Sequence, residues 1–154
     1  MQKKIPQRQC MGCRERMDKK ALIAMSGGVD SSVAAYLMQE AGFDCIGGTM
    51  LLCDETLLGK ADIPSPARDA SLVAERLHMP FYAFEECSAF CQKVVEPFIS
   101  AYEQGLTPNP CIFCNKQIKF GLLLDKALSL GCDYIVTGHY AKIRRDEATG
   151  RFLL

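Results

Sequence analysis

The sequence predicts an α/β protein built on a parallel sheet. Short, wholly apolar runs alternate with stretches whose apolar residues recur at helical spacing, and the first such run passes through a Ser/Gly turn into the first helical stretch. With 154 residues, 49% apolar and 23% charged, the chain suffices for one domain whose core needs neither disulfides nor structural metal.

The elements follow in order. Ala21 to Met25 is apolar throughout and suits a strand covered on both faces. Behind the turn, Val33, Leu37, Met38 and Ala41 share one helical face, and Gly42 sits where a C-terminal cap belongs. Cys45 to Leu51 reads as a second strand weakened by Gly47 and Gly48, and Ala61 to Arg68, with Pro64 and Pro66, as a loop. Asp69 is expected to cap a helix carrying Ala70, Val73, Ala74 and Leu77, closed by Pro80 before a strand Phe81 to Phe84. Ser88 opens a stretch with Phe90, Val94, Phe98 and Tyr102 on one face and a kink expected at Pro97. Leu106 to Cys114 reads as a loop, Asn115 as the cap of a helix through Leu128, and Gly131 as its end. A strand Tyr134 to Thr137 follows, then a hairpin with arms Ala141 to Arg145 and Arg151 to Leu154.

Net charge is zero, yet Met1 to Lys20 hold seven Lys/Arg against two Asp/Glu, leaving −5 on the other 134 residues. Residues 1–18 thus form a basic arm, expected to be flexible and suited either to nucleic acid or to plain solvation. No apolar run approaches the ~20 residues of a membrane span, and no apolar stretch follows the basic N-terminus. No membrane partner is expected, and the location expected is cytoplasmic. Nine cysteines in that setting argue for reduced thiols, some serving chemistry and others filling core.

Two strings carry chemistry. Ser26-Gly27-Gly28-Val29-Asp30-Ser31-Ser32 lies between the first strand and the first helix. Adjacent glycines let a phosphate reach the backbone, and the helix offers unpaired amides and partial positive charge. Without the lysine of a Walker A loop, Ser26, Ser31 and Ser32 are left to supply hydroxyl donors while Asp30 orients a magnesium ion or a loop amide. The competing reading is a tight turn with a capping Asp/Ser pair.

The second string runs from Thr107 to Phe120 and holds Asn109, Pro110, Cys111, Cys114, Lys116 and Lys119. Cys114 falls at the expected edge of a helix with two lysines in its first turns, which favours thiolate and makes it the better nucleophile candidate. By spacing alone, Cys111 and Cys114 suit half a zinc site, a redox pair or two ligands of an iron-sulfur cluster. His139 is a candidate for phosphate contact or proton transfer, against a structural role. His78 reads as a solvated helix end. The remaining cysteines from Cys45 onward read as packing or exposed thiols.

The seven-residue glycine string resembles the signature of the PP-loop ATP pyrophosphatases. Together with Asn109-Pro110-Cys111-Ile112-Phe113-Cys114-Asn115-Lys116-Gln117-Ile118-Lys119-Phe120 and Thr137-Gly138-His139-Tyr140, it resembles the tRNA-specific 2-thiouridylases from Lys19 to about Leu154. The resemblance implies a parallel sheet of the adenine-nucleotide hydrolase, Rossmann-like type, with residues 19–154 as a PP-loop nucleotide-binding domain. It implies ATP and Mg²⁺, adenylation of the 2-oxygen of the wobble uridine of tRNA, and attack by a cysteine persulfide. It also implies a sulfur-relay protein or cysteine desulfurase as partner.

By the same resemblance, Ala24, Met25, Ser26, Gly27, Gly28, Val29, Asp30 and Ser31 contact the ATP phosphates, Met50 lies against adenine and Gly138 approaches the nucleotide. Asn109, Pro110 and Cys111 contact the target base, and Cys114 carries the sulfur, with Ser32, Lys116, Lys119 and His139 as further candidates. Cys111 stands where family members carry aspartate or cysteine.

The family is considerably longer. The chain is therefore expected to stop after a C-terminal hairpin, short of the family's central and C-terminal domains and of the cysteine that resolves the persulfide, and not to thiolate tRNA alone. The alternatives are an iron-sulfur-dependent tRNA thiolase or other PP-loop ligase, and an inactive nucleotide- or RNA-binding fragment. At the front, Lys3-Lys4-Ile5-Pro6-Gln7-Arg8-Gln9-Cys10-Met11-Gly12-Cys13 resembles the start of a small bacterial RNA-binding family, and Cys10 and Cys13 offer two zinc ligands without an obvious second pair.

Overall fold

The computed structural model describes residues 7–9, 16–53, 66–142 and 144–153; Cys10 and Cys13 lie outside them. Two short strands, β1 (Gln7–Gln9) and β2 (Arg16–Asp18), pair antiparallel. The central sheet has four parallel strands, β3 (Lys20–Ala24), β4 (Asp44–Leu51), β5 (Phe81–Glu85) and β6 (Tyr134–Thr137), in the order β5-β4-β3-β6. The chain winds outward from β3 to β5, then returns to lay β6 on the other side of β3. That reversal opens a crevice beyond the carboxyl ends of the strands.

The apolar run read as Ala21 to Met25 is a strand shifted by one residue. Ala21, Leu22 and Ile23 are fully buried, because successive side chains point to opposite faces and both faces are covered. Ala21, Ile23 and Met25 pack with Ala35, Ala70 and Ala74 on one face, while Leu22 packs with Ile46, Leu123 and Ala127 on the other. In β4, Gly47 and Gly48 do not break the strand. A Cβ at Gly47 would meet Met25 Sδ at 2.8 Å and Phe81 at 3.0 Å, and one at Gly48 would meet Leu22 and Phe84 at 3.0 Å. The glycines make room for large neighbours.

Helix α1 (Val29–Glu40) ends as expected, with Gly42 at φ +85° donating to Gln39 O at 2.8 Å. Its buried face is only partly the one read from the sequence. Met38 packs against the core cluster that holds buried Ala35, and Ser31 is buried, whereas Val33 and Leu37 are 49% and 58% exposed. The helix turns a small residue to the sheet, which brings the two backbones close.

Helix α2 (Pro66–Arg76) buries Ala70 and Ala74 with Val73 and Leu77 beside them, as the spacing predicts. It starts earlier than expected, however. Pro66 opens it and Asp69 lies in its first turn rather than capping it, because proline's fixed φ suits a first helical position.

The region 87–103 is one helical run: α3 (Cys87–Phe90), a π-helical stretch Cys91–Val95, and α4 (Glu96–Glu103). Of the face Phe90, Val94, Phe98 and Tyr102, only Val94 is buried; Phe98 and Tyr102 form an edge-to-face ring pair at 5.0 Å. Glu96 keeps helical angles, φ −60° and ψ −47°, against the expected disturbance before Pro97. The wider π turn just ahead takes up the missing amide and the ring clash.

The largest correction concerns 106–129. Asn109, not Asn115, caps the helix, its side chain accepting from Cys111 N–H at 3.1 Å. From there α5 (Pro110–Phe113), a π-helical stretch Cys114–Leu122 and α6 (Leu123–Ser129) run on without a break. The expected loop to Cys114 is thus helical from Pro110, since Asn-Pro is a good cap and first-residue pair. Gly131, at φ +71°, donates to Leu128 O and ends the run. The last hairpin is present but short: β7 (Arg144–Arg145) pairs with β8 (Phe152–Leu153), and Asp146 holds the turn by accepting from Thr149 Oγ1 at 2.6 Å.

Candidate functional site

At the reversal point, the ends of β3, β4 and β6 and the start of α1 enclose a cavity of about 360 Å³, within the range of small-ligand sites. Ala24, Met25, Ser26, Asp30, Ser31, Met50 and Gly138, all read from the sequence as nucleotide contacts, line it, with Lys119 and His139. Gly27, Gly28 and Val29 are not among its lining residues. Gly27 and Val29 border instead a groove between α1 and α2.

Gly27 adopts φ +79°, a left-handed turn that favours glycine, and lets the chain swing from β3 into α1. Gly28 is the N-cap residue, and no side chain caps the helix. The first amides of α1 therefore have no intrahelical acceptor and carry the positive end of its dipole. The hydroxyls behave differently from expectation. Ser31 Oγ and Ser32 Oγ both donate to Gly28 O, at 3.0 and 2.8 Å, and Ser26 N–H donates to Ser31 Oγ at 3.3 Å. Their protons brace the turn, because the cap carbonyl is the nearest acceptor.

Asp30 Oδ1 accepts from Tyr140 Oη at 2.7 Å, and this bond to a carboxylate raises the phenol's pKa. Gly138 is where β6 meets α1. A Cβ there would stand 2.9 Å from Ser31 N and 3.1 Å from Asp30 C, so the glycine permits a backbone-to-backbone approach. His139 Nδ1 lies 2.8 Å from Thr137 Oγ1, and its ring is 6.3 Å from that of Phe120. His78 is exposed at a helix end, with φ 53°.

Several cavity residues escaped sequence reading: Gly48, Thr49, Leu52, Leu123 and Thr137. Thr49 is buried and its Oγ1 donates to Met25 O at 2.6 Å, tying β4 to the start of the phosphate-loop candidate. A lone hydroxyl among strand residues was its only sequence signal.

Cys111 is exposed and Cys114 half-buried, and neither lines the cavity. Cys114 shares its helical run with Lys119, roughly 7 Å further along the axis, and Lys119 does line it; Lys116 does not. The thiolate expected at Cys114 is not supported. With the helix starting at Pro110, burial raises the Cys114 pKa, Lys119 opposes that and Cys111 adds to it. Cys45 and Cys132 are buried, Cys53 and Cys91 exposed, and Cys87 Sγ donates weakly to Leu51 O at 3.4 Å. Among the described residues no group of three or more His, Cys, Asp or Glu is placed to hold a metal ion, and no helix is long and apolar enough to cross a membrane.

The chain resembles known proteins over most of its length. The chain is 51% identical over 142 residues to a tRNA-specific 2-thiouridylase of Clostridioides difficile, covering 90% of this chain and 39% of that protein. It is 50% identical over 141 residues to one of Clostridium botulinum, covering 88% of this chain and 38% of the relative. The chain thus spans about two-fifths of the length of these curated relatives. In fold it is similar to a solved structure described as a predicted subunit of tRNA methyltransferase from Methanocaldococcus jannaschii, with TM-score 0.52, 18% identity, and coverage of 86% of this chain and 57% of that one. The resemblance to 2-thiouridylases read from the two motif strings holds over most of the chain. The model of the tRNA methyl transferase HUP domain matches residues 19–154, and the chain belongs to that family.

Proposed function

We propose that this chain carries the ATP site and the sulfur-bearing nucleophile for 2-thiolation of the wobble uridine of tRNA. The observation that carries the reading is the uncapped N-terminus of α1 at a cavity that Asp30, Ser31 and Lys119 share. Free amides, a helix dipole and one lysine suit a polyphosphate. Met50, Leu52 and Leu123 give the same cavity an apolar side fit for a purine.

Mg²⁺ fits this donor set through phosphate oxygens and one carboxylate, that of Asp30, rather than through a protein cage. In the reaction, ATP activates the 2-oxygen as an adenylate, since a carbonyl oxygen leaves poorly until it is phosphorylated. The roles of this chain's residues divide accordingly. The α1 amides and Lys119 bind and orient phosphates, and Asp30 holds the cation. Asn109, Pro110 and Cys111 face the base, and Cys114 delivers sulfur. tRNA and a sulfur-relay protein or cysteine desulfurase are the partners this requires, and other segments of a longer protein are needed for turnover.

Titration calorimetry of the chain with ATP and Mg²⁺ tests the reading. Saturable binding is expected, about tenfold weaker in Asp30→Ala, equivalent to about 1.4 kcal/mol, and unchanged in Cys114→Ser. Equal loss of affinity in both variants contradicts the division of roles.

A further inference from the structure

We infer that Thr49 is a positioning residue for the nucleotide: its hydroxyl, reaching across from β4, fixes the peptide that leads from β3 into the Ser26 to Ser32 turn and so sets where the α1 amides meet phosphate. The inference rests on the proposed reading of that turn as the phosphate site.

β3 leaves the sheet at this point. Its register with β4 ends at Ala24 opposite Gly48, and Met25 N–H donates to Gly48 O at 2.8 Å. The Met25 carbonyl, one residue past the paired register, accepts from Thr49 Oγ1 at 2.6 Å. Both residues are buried, and at that depth the hydroxyl needs a partner as much as the carbonyl does. Gly47 shows how the two come together. A Cβ there would stand 2.8 Å from Met25 Sδ, so the glycine leaves room for the methionine, and Thr49, two residues on, lies on the same face of the strand.

The other end of the same peptide is held too. Ser26 N–H donates to Ser31 Oγ at 3.3 Å, and Ser31 Oγ donates to Gly28 O at 3.0 Å. Hydrogen bonds therefore run in one direction, from Thr49 through the Met25-Ser26 peptide and Ser31 to the N-cap carbonyl of α1, each polarising the next. Gly28 O also accepts from Ser32 N–H at 3.2 Å, the first rung of the helix. Gly27 follows the held peptide at φ +79°, and a glycine there leaves the chain other conformations unless the peptide before it is fixed. Without the Thr49 hydroxyl the carbonyl end is loose. The amides are then ordered only as phosphate arrives, and that ordering is subtracted from the affinity.

Titration calorimetry of the full chain with ATP and Mg²⁺, and separately with inorganic triphosphate, separates this role from plain support of the sheet. Thr49→Val keeps the shape of the side chain and removes the donor. It is expected to weaken both ligands about tenfold, while Thr49→Ser, which restores the hydroxyl, binds within about twofold of the parent. Gly131→Ala, destabilised at the other end of β6, should bind both as the parent does. Parental affinity in Thr49→Val, loss of ATP affinity without loss of triphosphate affinity, or equal losses in the Ser and Val variants each overturn the positioning role and leave the phosphate site standing. A parent that binds ATP but not triphosphate is held by its nucleoside, which also overturns the role; one that binds neither overturns the site as well. Hydrogen exchange on the parent needs no substitution. The Ser26 amide is expected to exchange at least about tenfold more slowly than in the unfolded chain, and exchange at the unfolded rate overturns the role.

Discussion

Gly138→Ala is the most searching change to make. The added Cβ would stand 2.9 Å from Ser31 N, 3.1 Å from Asp30 C and 3.2 Å from Ser31 Cα, where carbon contacts are ordinarily about 3.5–4.0 Å. Every obstructing atom is backbone, so no rotamer change relieves the clash. The start of α1 must move away from the end of β6 by roughly 0.5 Å or more. Overpacking of this kind costs about 1–3 kcal/mol. At about 2 kcal/mol the folded-to-unfolded ratio falls about 30-fold, and Tm drops by roughly 4–8 °C. If the α1 amides hold ATP as proposed, the same movement carries them off its phosphates, and ATP affinity should fall about tenfold. Gly131→Ala is the control. Gly131 has φ +71° and open space around it, so its replacement costs about 1 kcal/mol of backbone strain and leaves ATP affinity alone. Urea unfolding and titration calorimetry on both variants decide the matter. A Gly138→Ala protein with parental Tm and parental affinity refutes the close-approach argument.

Two further outcomes follow from the same geometry. Tyr140→Phe frees Asp30 Oδ1 from its 2.7 Å hydrogen bond and should strengthen Mg²⁺-dependent ATP binding severalfold, a gain on the scale of about 1 kcal/mol for one hydrogen bond; weaker binding, measured by calorimetry, would mean that the phenol itself contacts the ligand. Burial, with smaller contributions from Asp44 and Cys132, raises the Cys45 thiol from 9.0 to about 11. The unfolded chain then ionises first, so stability is intact below pH 9 and declines as pH rises toward 11. Urea midpoints at pH 8 and pH 10 should show that decline in the parent and less of it in Cys45→Ala.

Much of the site was legible because its chemistry is local in sequence. A glycine pair between an apolar strand and a helix suits a turn open to an anion, and Ala24 to Ser26, Asp30 and Ser31 do line one cavity. Helix faces and caps were less legible. Val33 and Leu37 are as apolar as any core pair, yet Ala35 faces the sheet, because close packing of two backbones selects for smallness, which hydrophobic periodicity does not register. Asn109 and Asn115 are equally good caps by type, and only the run of hydrogen bonds from Cys111 to Cys114 shows that the first is used.

The sequence by itself determined the order of strands and helices from the first sheet strand onward, the parallel sheet and the two strings that carry chemistry, since apolar alternation, glycine turns and prolines act on neighbours a few residues away. Only the tertiary structure decided that Gly138 abuts the start of α1, that Lys119 rather than Lys116 reaches the cavity, that Tyr140 holds Asp30, and that Cys114 sits inside a helix with its thiol protonated more firmly. Each of these depends on residues far apart in the chain, or on the rotation of a helix about its axis, and burial and contact across such distances exist only once the sheet has brought the segments together.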